Sequence, residues 1–377
     1  MRVALLAPLV SPIAPPFLGG AQALLADLAA GLASRGHVVT LYAAPGSQVP
    51  GVRVAPVEVD LAALTPARFH ETGERGNAAR TASPLRADAQ AYLESYSFMR
   101  AYRAIGRAAD EHDLVHAHAY DWPAYAYAGQ QPLPVAHTLH LPALDPAIRD
   151  ILAVVSPPGG RGAARLVTVS QACAATYAPY CQIDRVIYNG VDVARIPFGA
   201  APATPPYLLF AGRISPEKGV EDALAIAQRA GRRLVLAGGI YDRDYFEERI
   251  APRLALASEG ARYLGSVARE RLWELMAGAE ALLCPVQWEE PFGLVTCEAQ
   301  AAGTPIVGYR RGGLAEVVAD GATGILVPPG DVAAATAALA DARALDRAGC
   351  RAHVERLFGL AAMLEGYEAL YRDLLAE

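Results

Sequence analysis

Charge is scarce in this chain. Asp, Glu, Lys and Arg make up 19% of its 377 residues, against 53% hydrophobic residues. The charge that is present leans negative, with a formal net value of −6. A protein that grips nucleic acid normally shows a basic face to the phosphates, so nucleic acid is excluded as a partner. Long apolar runs are missing too: none reaches the roughly 18 residues of a membrane span. The opening M-R-V-A-L-L-A-P-L-V has one basic residue, a short apolar run and a Pro, and reads as a buried first strand with no targeting role. Cysteine is sparse: Cys173, Cys181, Cys284, Cys297 and Cys350 are odd in number, widely spaced and without a C-x-x-C, which suits buried free thiols in a cytoplasmic protein. Two nucleotide motifs are absent. No G-x-G-x-x-G follows a first strand, which argues against a dinucleotide-dependent oxidoreductase, and no G-x-x-x-x-G-K-[ST] occurs, which excludes a P-loop ATPase.

What is present is a repeated pattern of apolar strand, glycine turn and helix. Residues 2–7 form a continuous apolar strand, Gly19-Gly20 opens a helix over 21–34, and residues 38–43 give the next strand. Short apolar runs at 114–119, 135–139, 166–170 and 186–189 continue the series. Such runs between helices indicate a parallel sheet covered on both faces. The pattern restarts at 207–212, with a helix from about Val220 and strands at 234–237, 261–264, 281–284 and 305–309. The fold class is therefore α/β, with two tandem Rossmann-like doubly wound domains facing across a cleft. The expected boundaries are 1–195 for the first domain, a Pro-rich linker over 196–206, 207–358 for the second, and a last helix in 359–377 that can pack back on the first. The region 65–107 is irregular and Arg-rich and reads as a mobile insertion with a helix near 87–109. Its Tyr92, Tyr96 and Met99 fall at helical spacing and predict a core-facing stripe.

Chemistry concentrates between Trp288 and Gly313, where Glu290 and Glu298 are separated by seven residues. A Pro-Phe-Gly turn follows the first carboxylate, and the second lies on a small-residue helix. Carboxylates accept hydrogen bonds from sugar hydroxyls, and a helix start offers backbone N–H groups to an anion. Upstream, Arg213 and Lys218 flank the strand-to-helix turn G-R-I-S-P-E-K-G-V. Two such cations can neutralise a diphosphate, Arg as a fork and Lys as a point charge; a solvated loop with a salt bridge to Glu217 is the plainer alternative. Gly19-Gly20 would let backbone approach a phosphate, or is an ordinary turn. His116 and His118, two apart on one strand, share a face, and His140 ends the following strand. They suit contact with a polar substrate, His118 above all, or a histidine core; metal ligation lacks a clear third ligand. Asp242-Arg243-Asp244 reads as a helix cap rather than a metal triplet.

Taken in order, L-G-G-A-Q, D-L-V-H-A-H, V-I-Y-N-G-V-D, F-A-G-R-I-S-P-E-K-G, E-P-F-G-L-V-T-C-E-A-Q-A-A-G-T-P-I-V, R-G-G-L-A-E-V-V and D-G-A-T-G-I-L-V-P-P-G-D resemble the family 4 retaining glycosyltransferases of GT-B fold over most of the chain, and within them the avilamycin-type glycosyltransferases. The resemblance implies a nucleotide-diphosphate sugar as donor, no cofactor and no metal. Arg213 and Lys218 match the positions that bind the diphosphate, and Glu298 the carboxylate on the ribose. Glu290 matches the carboxylate facing the transferred sugar, with the backbone of Phe292, Gly293 and Leu294 beside it. Gly20 matches the glycine near the phosphates and His118 a histidine near the reacting centre; Gly19 and His140 stand beside them as binding candidates. The acceptor stays open between sugar, lipid and small molecule, as do peripheral membrane contact and oligomeric state. A nucleotide-sugar epimerase or hydrolase and a non-catalytic nucleotide-sugar-binding protein are the competing readings.

Overall fold

The computed structural model describes residues 1–17, 19–59, 84–160, 162–257 and 260–377, and within these the side chains of 84–90 are left aside. The chain divides into two compact units. One holds the described residues of Met1–Phe69 and Arg80–Gly190 together with Leu360–Glu377; the other holds Val191–Gly359.

In the first unit seven parallel strands are β1 (Arg2–Leu6), β2 (Val38–Ala43), β3 (Arg53–Pro56), β4 (Leu114–Ala117), β5 (Val135–Leu139), β6 (Arg165–Thr168) and β7 (Arg185–Val186), in the order β3-β2-β1-β4-β5-β6-β7. The second unit repeats the arrangement with β8 (Leu208–Ala211), β9 (Leu234–Ala237), β10 (Ala261–Tyr263), β11 (Ala281–Cys284), β12 (Ile306–Tyr309) and β13 (Gly324–Val327), ordered β10-β9-β8-β11-β12-β13. Each sheet is doubly wound. The chain leaves β1 or β8 toward one edge and later returns beside it, at β4 or β11, to build the other. Ligands of such sheets bind at the carboxyl ends of the strands flanking this reversal.

The strands form where short apolar runs can be buried on both faces; β1 and β4, for instance, are buried almost throughout. Two strands escaped the sequence reading. β3 is a half-exposed edge with a weak apolar signal. β13 starts on Gly324, where a Cβ would lie 2.6 Å from the Ile306 carbonyl oxygen, so a glycine that looks like loop is what lets this strand close on β12.

The last helix, Leu360–Leu375, belongs to the first unit and buries Met363, Leu364, Tyr367, Leu370, Tyr371 and Leu374, a stripe of helical period. It lies against the helix Gly20–Ser34 at Gly31, where an added Cβ would meet Leu364 Cδ1 at 2.8 Å. Arg35 pairs with Glu365 and Glu368 beside this contact.

The helix within 65–107 is Pro84–Arg107, and residues 65–83 of that region lie outside the described residues. Its expected core stripe is corrected: Tyr92 and Tyr96 are exposed at 65% and 40%, and Met99 at 37%. The buried face is Phe98, Ala101, Tyr102 and Ile105. Both sets have helical spacing. Phe98 stands two residues beyond Tyr96, about 200° around the helix, so periodicity alone left the choice of face undecided.

Candidate functional site

In the second unit the cationic turn leaves the end of β8, and the Trp288–Glu290 segment follows β11, its neighbour across the reversal. The turn is pinned in three places. Ser215 Oγ donates to Glu217 Oε1 (2.6 Å), and Gln287 N donates to the Glu217 carbonyl (2.8 Å). Gly219 holds φ +73°, and a Cβ there would fall 1.9 Å from the Pro285 carbonyl oxygen, so only glycine permits this approach to the β11 loop.

That approach brings Lys218 to Glu290. Lys218 Nζ donates to Glu290 Oε2 at 2.7 Å, and Trp288 Nε1 donates to the same oxygen at 2.8 Å. The ammonium also lies 5.0 Å from the Trp288 ring centroid, within cation–π range. Lys218 is the only lysine in a chain whose Lys and Arg total 33. Arg213 sits apart from this pair: its Nη2 is 3.3 Å from Glu217 Oε1 and its guanidinium covers the Tyr241 ring at 4.5 Å. Arg213 thus makes the bridge to Glu217 and Lys218 reaches the carboxylate motif.

The Glu290 backbone is fixed from the β12 side. Gly313 N donates to the Glu290 carbonyl (2.6 Å) and Gly312 N to Glu289 Oε2 (3.0 Å). A Cβ on Gly312, at φ +55°, would lie 2.3 Å from the Glu290 carbonyl oxygen. Gly293, at φ +89°, turns the chain into the eight-residue helix Leu294–Ala301, with Phe292 buried against Phe358. Glu298, on that helix and almost wholly buried, is held by Arg269 Nε (2.9 Å) and Trp273 Nε1 (3.1 Å). Nearby Cys284 has its thiol pushed up to about 12 by burial, then by the Glu290 carboxylate, against a lowering by Lys218, so it stays a thiol at neutral pH.

Trp288, Tyr241, Arg269 and Trp273 were given no part by sequence reasoning. Trp288 adjoins the motif itself and is the one with a usable local signal. Arg269 and Trp273 lie on the helix Arg269–Gly278, far upstream of Glu298, and nothing local links them to it.

In the first unit Gly19 and Gly20 stand between β1 and the helix Gly20–Ser34. Gly19 has φ −163°, extended backbone open to any residue, so conformation does not demand glycine here. His116 and His118 share one face of the β4 segment, their ring centroids 4.0 Å apart. His118 Nδ1 is 2.9 Å from His140 Nε2, and His118 Nε2 is 3.2 Å from His116 Nδ1. His116 continues inward to Tyr371 Oη (2.7 Å) and Thr138 Oγ1 (2.8 Å). Burial pushes the imidazolium pKa of His116 and His118 well below the ordinary value and that of His140 to about 4. These rings are neutral at pH 7. Among the described residues no group of three or more His, Cys, Asp or Glu is arranged to hold a metal ion. Asp242 is a helix cap, its Oδ1 accepting from Tyr245 N at 2.9 Å.

Two doubly wound parallel sheets in one chain, with cations and carboxylates at the reversal of the second, define a protein of GT-B fold. Residues 18–195 match the family model described as Glycosyltransferase Family 4, and residues 195–348 the model described as Glycosyl transferases group 1. A D-inositol 3-phosphate glycosyltransferase from Mycolicibacterium smegmatis is 30% identical over 88% of this chain and 81% of its own length. The chain belongs to the family 4 glycosyltransferases. A glycogen synthase from Mycobacterium tuberculosis is 35% identical over 60% of the chain, but the match spans only 59% of that enzyme. Among solved structures, AviGT4, a glycosyltransferase involved in avilamycin A biosynthesis, superposes with a TM-score of 0.69 at 27% identity, covering 100% of this chain and 98% of its own. Anabaena HepE in complex with UDP-glucose shares the fold, at a TM-score of 0.68 and 20% identity over 98% of this chain and 99% of its own.

Proposed function

We propose that this protein transfers a sugar from a nucleotide-diphosphate sugar to a hydroxyl acceptor, with retention at the anomeric carbon and without a metal or cofactor. The observation that carries the reading is the Lys218–Glu290 contact at the sheet reversal of the second unit, with Arg213 on the same turn. An ammonium has three N–H donors and Glu290 takes one; a diphosphate oxygen is the natural partner for another.

The bond between the anomeric carbon and the diphosphate oxygen breaks, and its electron pair leaves on the phosphate. Lys218 and Arg213 offset the charge that develops there, which is where preorganised cations contribute most. The acceptor oxygen bonds to the same face of the anomeric carbon, and its proton passes to the leaving phosphate. Glu290 receives hydroxyls of the transferred sugar, and Glu298, steadied by Arg269 and Trp273, receives those of the ribose. The first amides of the helix Leu294–Ala301, with Phe292 and Gly293, lie beside the sugar. Within the first unit, Gly19 and Gly20 are assigned to phosphate contact, and His140, backed by His118, to the acceptor.

The single lysine makes a direct test available. UDP, GDP, ADP, CDP and dTDP are screened by thermal shift without metal and with EDTA. The protein is then acetylated with and without the nucleotide that shifts it, and Lys218 is read by mass spectrometry with the N-terminal amine as internal control. Protection of Lys218 alone is the expected result; no shift with any nucleotide, or acetylation indifferent to it, would remove the diphosphate assignment. Incubation with the matching sugar nucleotide and candidate acceptors, read by the anomeric proton coupling of the product, separates transfer with retention from hydrolysis or epimerisation.

A further inference from the structure

We propose that Tyr371 is a positioning residue that sets the tautomer of His140 through His116 and His118, leaving His140 Nδ1 bare as the acceptor for a ligand hydroxyl. All four residues belong to the first unit. The role given to His140 rests on the acceptor reading above; the tautomer assignment does not.

Tyr371 is fully buried, and burial raises its phenol pKa far above the ordinary value, so its proton stays on. A buried O–H needs an acceptor. Among the described residues the partner at Tyr371 Oη is His116 Nδ1, at 2.7 Å. Tyr371 therefore donates and His116 Nδ1 is bare. His116 is neutral, so its proton is on Nε2, which donates to Thr138 Oγ1 at 2.8 Å. Thr138 in turn contacts Tyr367 Oη at 3.1 Å, anchoring this end to the last helix a second time. His118 Nε2 faces the bare His116 Nδ1 at 3.2 Å. Two bare nitrogens would repel, so His118 carries its proton on Nε2, sharing the one His116 Nδ1 lone pair as the longer and weaker donor beside Tyr371, and its own Nδ1 is bare. His140 Nε2 donates to that nitrogen at 2.9 Å. His140 is neutral as well, and its remaining nitrogen, Nδ1, is left as an acceptor without a partner among the described residues.

Two consequences follow. Both ring nitrogens of His118 are engaged inside the unit, so the imidazole nitrogen available to a ligand belongs to His140, the half-buried ring at the end of β5. The polarity of the array depends on one hydroxyl. Without it, His116 can protonate on Nδ1 and accept from Thr138, and every ring beyond can reverse. His140 would then offer an N–H outward in place of a lone pair.

The experiment is a long-range 15N–1H correlation spectrum of the full-length, ligand-free protein labelled at histidine nitrogen, at neutral pH. His116→Gln, His118→Gln and His140→Gln provide the assignments. The expected wild-type spectrum shows all three rings protonated on Nε2, and Tyr371→Phe, checked for folding by near-UV circular dichroism, brings in the Nδ1-protonated form of His140. A wild-type His140 protonated on Nδ1, or a Tyr371→Phe spectrum with unchanged tautomers, would overturn the assignment. This arm needs no nucleotide, so it decides even if the transferase reading fails. Where transfer is measurable, Tyr371→Phe is expected to lower kcat about tenfold and leave the Kd of the shifting nucleoside diphosphate unchanged. An unchanged kcat with altered tautomers would overturn the role of His140 toward the acceptor.

Discussion

At the scale of single residues, Lys218 and Glu298 are held in opposite ways, and the difference sets what each variant should do. Lys218 is a compact cation with one carboxylate partner and an indole beside it. Lys218→Ala removes a charged donor and should weaken binding of the nucleoside diphosphate by about 1.5–3 kcal/mol, about ten- to a hundredfold in Kd. Titration calorimetry reads this directly, and an unchanged Kd would contradict the diphosphate role. Arginine at this position is a poor substitute, because its planar fork does not reproduce a point charge between Glu290 and Trp288. Glu298 is instead locked by two donors before any ligand is considered. Its loss should raise the KM for the donor more than it lowers kcat. Loss of Glu290, whose Oε2 orients Lys218, should act chiefly on kcat. Steady-state kinetics of Glu298→Ala and Glu290→Ala separate the two, and equal effects on kcat alone would refute the division of roles.

At the scale of elements, the doubly wound sheets were legible because buried parallel strands are continuous apolar runs and their turns carry glycine. The edges were not, since β3 is half exposed and β13 opens on a glycine needed for close approach. Within the site, the residues following β8 and β11 could be singled out, because charge stands out at the end of an apolar strand. Arg269 and Trp273 could not, because their link to Glu298 exists only once the helix Arg269–Gly278 has packed. The joining glycines can be tested. Gly219 and Gly321 have nearly the same positive φ, +73° and +77°, but a Cβ at Gly219 meets the Pro285 carbonyl oxygen at 1.9 Å, while at Gly321 nothing lies within 4 Å. Gly321→Ala should cost only the left-handed backbone strain, about 1–2 kcal/mol. Gly219→Ala adds a backbone clash that must move the turn away from the β11 loop, and should cost at least about 2 kcal/mol more and weaken nucleotide binding. Urea unfolding in a Trp122→Phe background, where Trp273 and Trp288 report on the second unit, measures both. Equal costs would mean that the turn yields freely.

At the scale of the whole molecule, the first unit carries an acid liability that follows from its buried imidazoles. Burial lowers His137 and His140 to about 4 from the ordinary 6.5, and His116 and His118 well below it. The folded pKa lies below the unfolded one, so as pH falls the unfolded chain takes up protons first. Stability is intact above about 6.5 and is lost progressively as pH drops toward about 4. His137 is the cleanest case: its ring is fully buried, stacked on Tyr125, with Nε2 donating to the Ala119 carbonyl at 2.7 Å. Moving from neutral to about pH 5 should cost about 2 kcal/mol through this residue alone. The ion-paired carboxylates Glu111, Asp113, Asp320 and Glu368 have lowered pKa values and lose their stabilisation only at lower pH, so the window above pH 5 isolates the histidines. With Trp273→Phe and Trp288→Phe in place, Trp122 reports unfolding of the first unit in urea. The drop in its stability between about pH 7.5 and pH 5 should shrink by about 2 kcal/mol when His137→Gln is added, since glutamine keeps a donor for Ala119 but takes up no proton. An identical drop in both proteins would show that His137 titrates alike folded and unfolded, and that the acid sensitivity lies in other groups.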